Sequence, residues 1–134
     1  MIEIDEDIEN LFNSRNSSPY GYLMVLVKDK FYLYYIYEED CQGVEYDLIW
    51  ECDYKFERSI RKYGKFISID FEDSCESFVS GHNTGYVCCW NIAKQERPSQ
   101  AFRIINPITK RAEPIDFIRC IGNGKIIITY SYLS

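Results

Sequence analysis

Histidine and cysteine are the residues of this chain best suited to chemistry, and they are few. The only histidine is His82, and the six cysteines are Cys41, Cys52, Cys75, Cys88, Cys89 and Cys120. A Cys–His nucleophile needs a third, orienting group, which Asn83 could supply. No cysteine lies in a known nucleophile signature. We therefore expect His82 to be a polar turn residue and the chain to be no enzyme, with a small Cys/His enzyme as the third hypothesis.

Three short segments resemble ligand sites only in part. Residues 75–89 contain three cysteines and His82 but lack the paired ligands, two to four residues apart, of structural zinc sites. The acidic run at 70–76 lacks the glycine and the alternating acids of a calcium loop. Residues 122–125 (Gly-Asn-Gly-Lys) precede a strand rather than a phosphate-binding helix. We expect no metal site and no cofactor.

The apolar pattern predicts the elements that surround these residues. Hydrophobic residues make up 46% of the chain and aromatic residues 16%, and period-two alternation dominates, as in half-buried strands. We predict a mainly β (α+β) fold in a single domain, residues 1–134, with twisted antiparallel sheet or sheets of about eight strands and two short helices. The predicted strands are 20–27, 31–37, 45–52, 66–71, 77–80, 86–92, 101–105, 115–121 and 125–133.

The two predicted helices lie at 5–13 and 54–63. Apolar residues at helical spacing mark each one: Ile4, Ile8, Leu11 and Phe12 in the first, and Phe56, Ile60 and Tyr63 in the second. Asp53 is placed to cap the second helix, and Gly64 is placed just past its end.

The strand at 45–52 has the clearest alternation. It predicts a core face of Tyr46, Leu48, Trp50 and Cys52 and a solvent face of Glu45, Asp47 and Glu51. Hairpins are predicted at 28–30 and at 122–124.

Charge narrows the choice of partner. The net charge is −6: residues 1–93 have 18 acids and 8 bases (−10), and residues 94–134 have 3 acids and 7 bases (+4). An acidic chain repels nucleic acid, so no direct nucleic-acid binding is expected.

The acidic, tyrosine-containing block suits a basic protein partner. Its predicted partner-binding residues are Glu38, Glu39, Asp40, Glu45, Tyr46, Asp47, Glu51 and Asp53. The first hypothesis is a non-catalytic inhibitor, of the type of bacterial toxin-immunity proteins, that neutralises a basic partner such as a nuclease toxin. The bases at 55–65 are expected to pair internally with the acidic surface.

Residues 66–92 give a second hypothesis. The stretch Ser80-Gly81-His82-Asn83-Thr84-Gly85-Tyr86-Val87-Cys88-Cys89-Trp90-Asn91-Ile92 resembles the segment around the Trp-Asp pair of WD-repeat blades, with Asn91 in place of the aspartate. The resemblance implies a β-rich scaffold that assembles into a larger structure, because a propeller needs four or more blades of about 40 residues. The alternative is a pair of adjacent strands joined by a glycine-containing turn.

The N-terminal residues have no signal-peptide pattern, and no apolar run reaches the ~18 residues of a membrane span. We expect a cytoplasmic protein with free thiols, no membrane contact, and a monomeric or small homo-oligomeric state.

Overall fold

The computed structural model describes residues 2–14, 21–39, 43–73, 76–122 and 125–130. These ranges form ten strands and one short helix, and the predicted mainly β class is confirmed. The details differ from the prediction, with ten strands instead of about eight and one helix instead of two. The elements are β1 (Asn10–Asn13), β2 (Gly21–Leu26), β3 (Lys30–Glu39), β4 (Gly43–Asp53), α1 (Arg58–Arg61), β5 (Phe66–Phe71), β6 (Ser77–His82), β7 (Tyr86–Asn91), β8 (Gln100–Arg103), β9 (Ile115–Gly122) and β10 (Lys125–Tyr130).

The strands form three antiparallel sheets in chain order. The first sheet has the order β1-β2-β3-β4, the second β5-β6-β7-β8, and the third pairs β9 with β10. Within each sheet, strands that are consecutive in the chain pair with each other, so the first two sheets are four-stranded meanders and the third is a hairpin. The predicted hairpin at 28–30 is confirmed, with the Val27 amide donating to the Lys30 carbonyl at 3.0 Å. The turn residues 123 and 124 lie outside the described residues.

The three sheets are stacked as layers around two apolar clusters. The larger cluster lies between the first and second sheets and includes Phe31, Leu33, Phe66 and Trp90. The smaller one joins the second sheet to the third through Val79, Val87, Ile115 and Ile118. The second sheet is therefore covered on both faces, which explains why most residues of β6 and β7 are buried.

The first strands of the successive sheets, β1, β5 and β9, lie side by side. The Ser68 hydroxyl of β5 donates to the Ile115 carbonyl of β9 at 2.7 Å. The Cys120 amide donates to Asp70 Oδ2 at 2.6 Å. The first and second sheets therefore contact each other at β1 and β5, and the second and third sheets at β5 and β9.

The predicted N-terminal helix at 5–13 is wrong. Residues 10–13 form β1, in which Leu11 pairs with Val25, and the Glu9 amide donates to the Leu26 carbonyl at 2.8 Å. The backbone groups at the edge of β2 form hydrogen bonds with the backbone of this segment. That tertiary pairing overrides the helical spacing of its apolar residues. Ile8 and Leu11, predicted on the buried helix face, are half exposed.

The predicted second helix at 54–63 shrinks to the four residues of α1. Asp53 organises a turn instead of capping the helix: its carboxylate accepts from the Lys55 amide at 2.9 Å. Phe56 is consequently 81% exposed, whereas Ile60 and Tyr63, predicted to share a helix face with it, are buried. Gly64 has the predicted left-handed backbone, with φ of +84°.

Candidate functional site

A cleft runs along the three first strands. It has a volume of about 250 Å³ and is lined by residues 11–13 of β1, 68–70 of β5 and 116–119 of β9. Asp116 and Arg119 are its exposed charged residues, and Asp70 is half-buried. The Asp70 carboxylate is held by the Cys120 amide, which ties this side chain to the neighbouring sheet. The cleft is a junction between sheets, and it was missed by sequence reasoning because its residues are distant in the chain.

The predicted partner-binding residues lie mainly on the β3–β4 hairpin. Glu38 and Glu39 are near the end of β3, and Glu45, Tyr46, Asp47, Glu51 and Asp53 are on β4. Asp40 lies outside the described residues. The hairpin spreads this set along the β4 edge, with Glu38, Glu39 and Glu45 near one end and Glu51 and Asp53 near the other.

A β-bulge at Ile49 divides these acids between two faces. Leu33 pairs with Trp50, but the next residue, Tyr34, pairs with Leu48, which leaves Ile49 as the extra residue of β4. Directly paired residues share a face, so the alternation inverts across the bulge. The prediction of one continuous core face and one continuous acidic face is wrong.

The two faces of β4 have different chemistry beyond the bulge. Glu45 and Asp47 share the face of Tyr37, whose hydroxyl donates to Asp47 Oδ1 at 3.5 Å. Glu51 lies on the opposite face, opposite Tyr32, and accepts from Lys30 Nζ at 3.1 Å. Glu51 is thus neutralised locally, whereas Glu45 and Asp47 form no ion pair with any described residue.

An exposed apolar row on β4 replaces part of the predicted core. Val44, Tyr46 and Leu48 are 61%, 38% and 48% exposed, although Tyr46 and Leu48 were predicted to be buried. Trp50 and Cys52, on the other side of the bulge, do pack on the core as predicted. The sequence contains one sign of this change: residues 48–50 are three consecutive apolar residues, so each of them is compatible with the buried face of the sheet.

Lys30 lies on the same face of the first sheet as Glu51, where it is the centre of a group of polar contacts. Hydrogen bonds with Tyr32 and Glu51 raise the pKa of the Lys30 ammonium. Its Nζ is also 3.5 Å from Glu6, and the same Glu6 carboxylate accepts from the Tyr32 hydroxyl at 3.1 Å. These contacts fasten the N-terminal segment to the sheet.

The basic residues at 55–65 do not pair with the predicted acidic block. Lys55 pairs with Asp29 at 3.5 Å, and Lys65 pairs with Glu9, neither of which belongs to that block. In the described parts of the chain, Arg58, Arg61 and Lys62 form no ion pair and are exposed. The expected internal pairing is therefore wrong in its partners.

His82 is a buried structural residue rather than the polar turn residue that the sequence predicted. It ends β6 with none of its surface exposed. Its Nδ1 lies 3.1 Å from the Gly64 carbonyl, which can only accept, so Nδ1 carries the proton. Its Nε2 then accepts from the Ser80 hydroxyl at 2.6 Å, and Ser80 Oγ accepts from Trp90 Nε1 at 2.8 Å.

Burial lowers the pKa of His82 to about 4, against an opposing effect of the Gly64 hydrogen bond. The neutral ring completes a chain of three hydrogen bonds that links β6, β7 and the turn after α1. This chain fixes the hairpin that resembles a WD-repeat blade, and it closes His82 off from any substrate in solution.

The cysteines for which the structure gives positions are free thiols. Cys52 and Cys88 are buried, and burial raises the pKa of each thiol to about 12. Such thiols remain protonated and unreactive at neutral pH. Cys89 and Cys120 are partly buried, and burial also raises the pKa of Cys89. Within the described residues, no cluster of three or more His, Cys, Asp or Glu side chains could hold a metal ion.

The face of the third sheet that points away from the second sheet has several exposed apolar side chains among the described residues. Phe117, Ile121 and Ile127 are 42%, 52% and 47% exposed. Arg119 lies among them, with its guanidinium 5.5 Å from the centre of the Phe117 ring. The opposite face of this sheet packs on the second sheet through Ile118 and its neighbours. An exposed apolar patch rimmed by polar groups is typical of a protein interface.

Comparisons with known proteins add no relative. A scan against protein-family models and a search of curated proteins each found no match for the chain. Among the described residues, no helix has the length and apolar character needed to span a membrane.

Proposed function

We propose that this chain is a non-catalytic protein-binding scaffold whose sheets act as consecutive propeller-like blades. The observation that carries this proposal is the meeting of β1, β5 and β9 along one cleft, with two four-stranded meanders and a hairpin following one another in the chain. Propellers repeat four-stranded sheets as blades around a central channel. The hydrogen-bonded Trp90, Ser80 and His82 in the blade-like second sheet are a further support.

The third sheet supports a proposal that the chain assembles with further copies of itself. Among the described residues, only one face of this sheet packs on another sheet, whereas the second sheet is packed on both faces. The segment that contains this face, residues 94–134, has a net charge of +4, whereas residues 1–93 have −10. Opposite charges on the two parts favour head-to-tail contact between copies over contact of like parts.

Light scattering after size exclusion tests this assembly. We expect the wild-type chain at micromolar concentration to have the mass of an oligomer, and the double variant Phe117→Lys/Ile127→Lys to have the mass of one chain, 15.9 kDa. The matched control is Ile105→Lys/Ile108→Lys, which adds the same charge at exposed apolar positions outside the third sheet. A monomeric wild type, or equal dissociation of both double variants, contradicts the assembly.

A second candidate function is the neutralisation of a basic protein by the acidic hairpin. It is supported by residues 31–54, which contain seven acids and no base. Glu45 and Asp47 lie together on one face of an edge strand, and no described residue neutralises them. A negative field of this kind speeds association with cationic partners. Charge reversal at Glu45 and Asp47, which should slow association with a basic probe, tests this candidate.

A further inference from the structure

β4 has an open strand edge. It is the last strand of the first sheet and pairs only with β3 among the described residues. Gln95 reaches the Ile49 carbonyl at 3.4 Å and so covers the edge at the bulge. The stretch from Gly43 to Leu48 lies on the N-terminal side of this contact in β4. The outward backbone groups of an edge strand are a template for pairing with another strand.

One face of this open stretch is apolar. Val44, Tyr46 and Leu48 alternate along β4 and are 61%, 38% and 48% exposed. The ring of Tyr46 meets the buried Tyr34 of β3 edge-on, with 5.9 Å between ring centres, so this row packs against the first sheet on its inner side. A strand added beside β4 would cover this row with every second side chain.

The other face of the same stretch is anionic. Glu45 and Asp47 alternate with the apolar row and form no ion pair with a described residue. The surrounding segment 31–54 supplies acids only. Basic side chains at the intervening positions of an added strand would therefore meet uncompensated carboxylates.

We propose that residues 43–48 of β4 bind an extended segment of a partner protein, in which apolar and basic residues alternate, as a fifth strand of the first sheet. This proposal deepens the protein-binding role proposed above and does not depend on assembly through the third sheet. Backbone hydrogen bonds supply affinity, and the two faces of β4 supply the sequence preference.

A second copy of this chain is the wrong occupant for the β4 edge. Pairing two β4 strands about Tyr46 would place Glu45 of one copy opposite Asp47 of the other. Like charges directly opposite each other destabilise a strand pair. The charge on this face selects a basic strand instead.

The test uses the capped peptide Val-Lys-Val-Lys-Val with a fluorescent label, titrated with the full chain and followed by anisotropy. We expect saturable binding that falls about tenfold for Val44→Ser/Leu48→Ser, because the variant removes apolar cover from two positions. The control Ile105→Ser/Ile108→Ser removes similar side chains elsewhere and should leave the affinity unchanged. Val-Glu-Val-Glu-Val should bind at least about tenfold more weakly than the lysine peptide.

Two N-methylated peptides distinguish strand addition from general charge attraction. One is methylated at the backbone nitrogens of its valines and the other at those of its lysines. Only alternate amides of an added strand point toward β4, so one peptide should lose binding about tenfold or more while the other retains it. Absence of binding, or equal binding of the two methylated peptides, overturns the proposal.

The same titration with Phe117→Lys/Ile127→Lys separates this proposal from the assembly. Unchanged peptide affinity is expected, since the substitutions lie on the third sheet. Loss of peptide binding in this variant would show that the peptide binds the assembly face instead of β4, and it would overturn the strand-addition proposal alone.

Discussion

At the scale of single residues, the burial of His82 determines how readily its ring binds a proton. Its ring donates to Gly64 and accepts from Ser80, an arrangement that only the neutral imidazole satisfies without leaving a hydroxyl proton unpaired. Protonation would also place a charge in a site that has no described counter-ion and no exposure. The pKa of about 4 follows mainly from this burial.

The first prediction is a loss of stability in mild acid that depends on His82. The folded pKa of about 4 lies below the unfolded value of 6.5, so the unfolded state binds the proton more readily. The stabilisation is complete above pH 6.5 and is lost as the pH falls toward 4. Between pH 7.5 and pH 4.5 this group should lower the free energy of unfolding by about 2–3 kcal/mol.

Urea unfolding of wild type and His82→Gln over that range measures the effect. Carboxylates titrate in both proteins, so the informative quantity is the difference between the two free energies of unfolding. We expect this difference to shrink by about 2–3 kcal/mol toward pH 4.5. Parallel pH profiles for the two proteins would show that His82 is not buried as a neutral ring.

At the scale of elements, the bulge in β4 decides which acids act together. Sequence alternation over 45–52 places Glu45, Asp47 and Glu51 on one face, but the extra residue at Ile49 moves Glu51 to the other. Leu48, Ile49 and Trp50 are all apolar, so the sequence is compatible with either register. The hairpins, by contrast, follow from turn residues and local alternation, and were predicted to within a few residues.

The second prediction concerns charge reversal on the divided acidic surface. Glu45→Lys/Asp47→Lys should slow association with a basic probe, a lysine-rich peptide, and weaken the salt dependence of its binding. The free energy of unfolding should change by less than about 0.5 kcal/mol, because Asp47 is exposed and neither acid is ion-paired.

The control for this prediction changes the same charge elsewhere. Glu3→Lys/Asp5→Lys alters two exposed acids of the N-terminal segment. We expect a smaller effect on the association rate from this pair. Equal slowing by both pairs would mean that only the net charge matters, and the acidic hairpin would then have no special role in binding.

At the scale of the whole molecule, the stacking of sheets is the feature that sequence reasoning could not reach. Period-two alternation reveals strands, yet it contains no information on which sheet covers which. The contact of Ser68 with Ile115 spans 47 residues of chain, and that of Asp70 with Cys120 spans 50. The WD-like pattern at 66–92 indicated one blade-like hairpin, whereas the other two sheets lack such a pattern.

The N-terminal segment is a second case in which the local sequence pattern did not predict the structure. Residues 5–13 have a helical apolar pattern, but β2 offers an open edge that β1 fills. Local preference is worth only tenths of a kcal/mol per residue, so tertiary pairing decides the outcome. The candidate cleft between β1, β5 and β9 exists only because of this pairing.

The most direct test of the central claim, that the sheets meet through their first strands as blades, is a NOESY spectrum of isotopically labelled protein. The 2.6 Å contact from the Cys120 amide to the Asp70 carboxylate predicts a NOE from that amide to the β protons of Asp70. The 2.7 Å contact from Ser68 Oγ to the Ile115 carbonyl predicts a further NOE between β5 and β9. Both cross-sheet NOEs should appear together with the antiparallel pattern of the second sheet. A spectrum that shows this sheet but no NOE between residues 66–71 and 115–122 would contradict the blade arrangement and the scaffold function that rests on it.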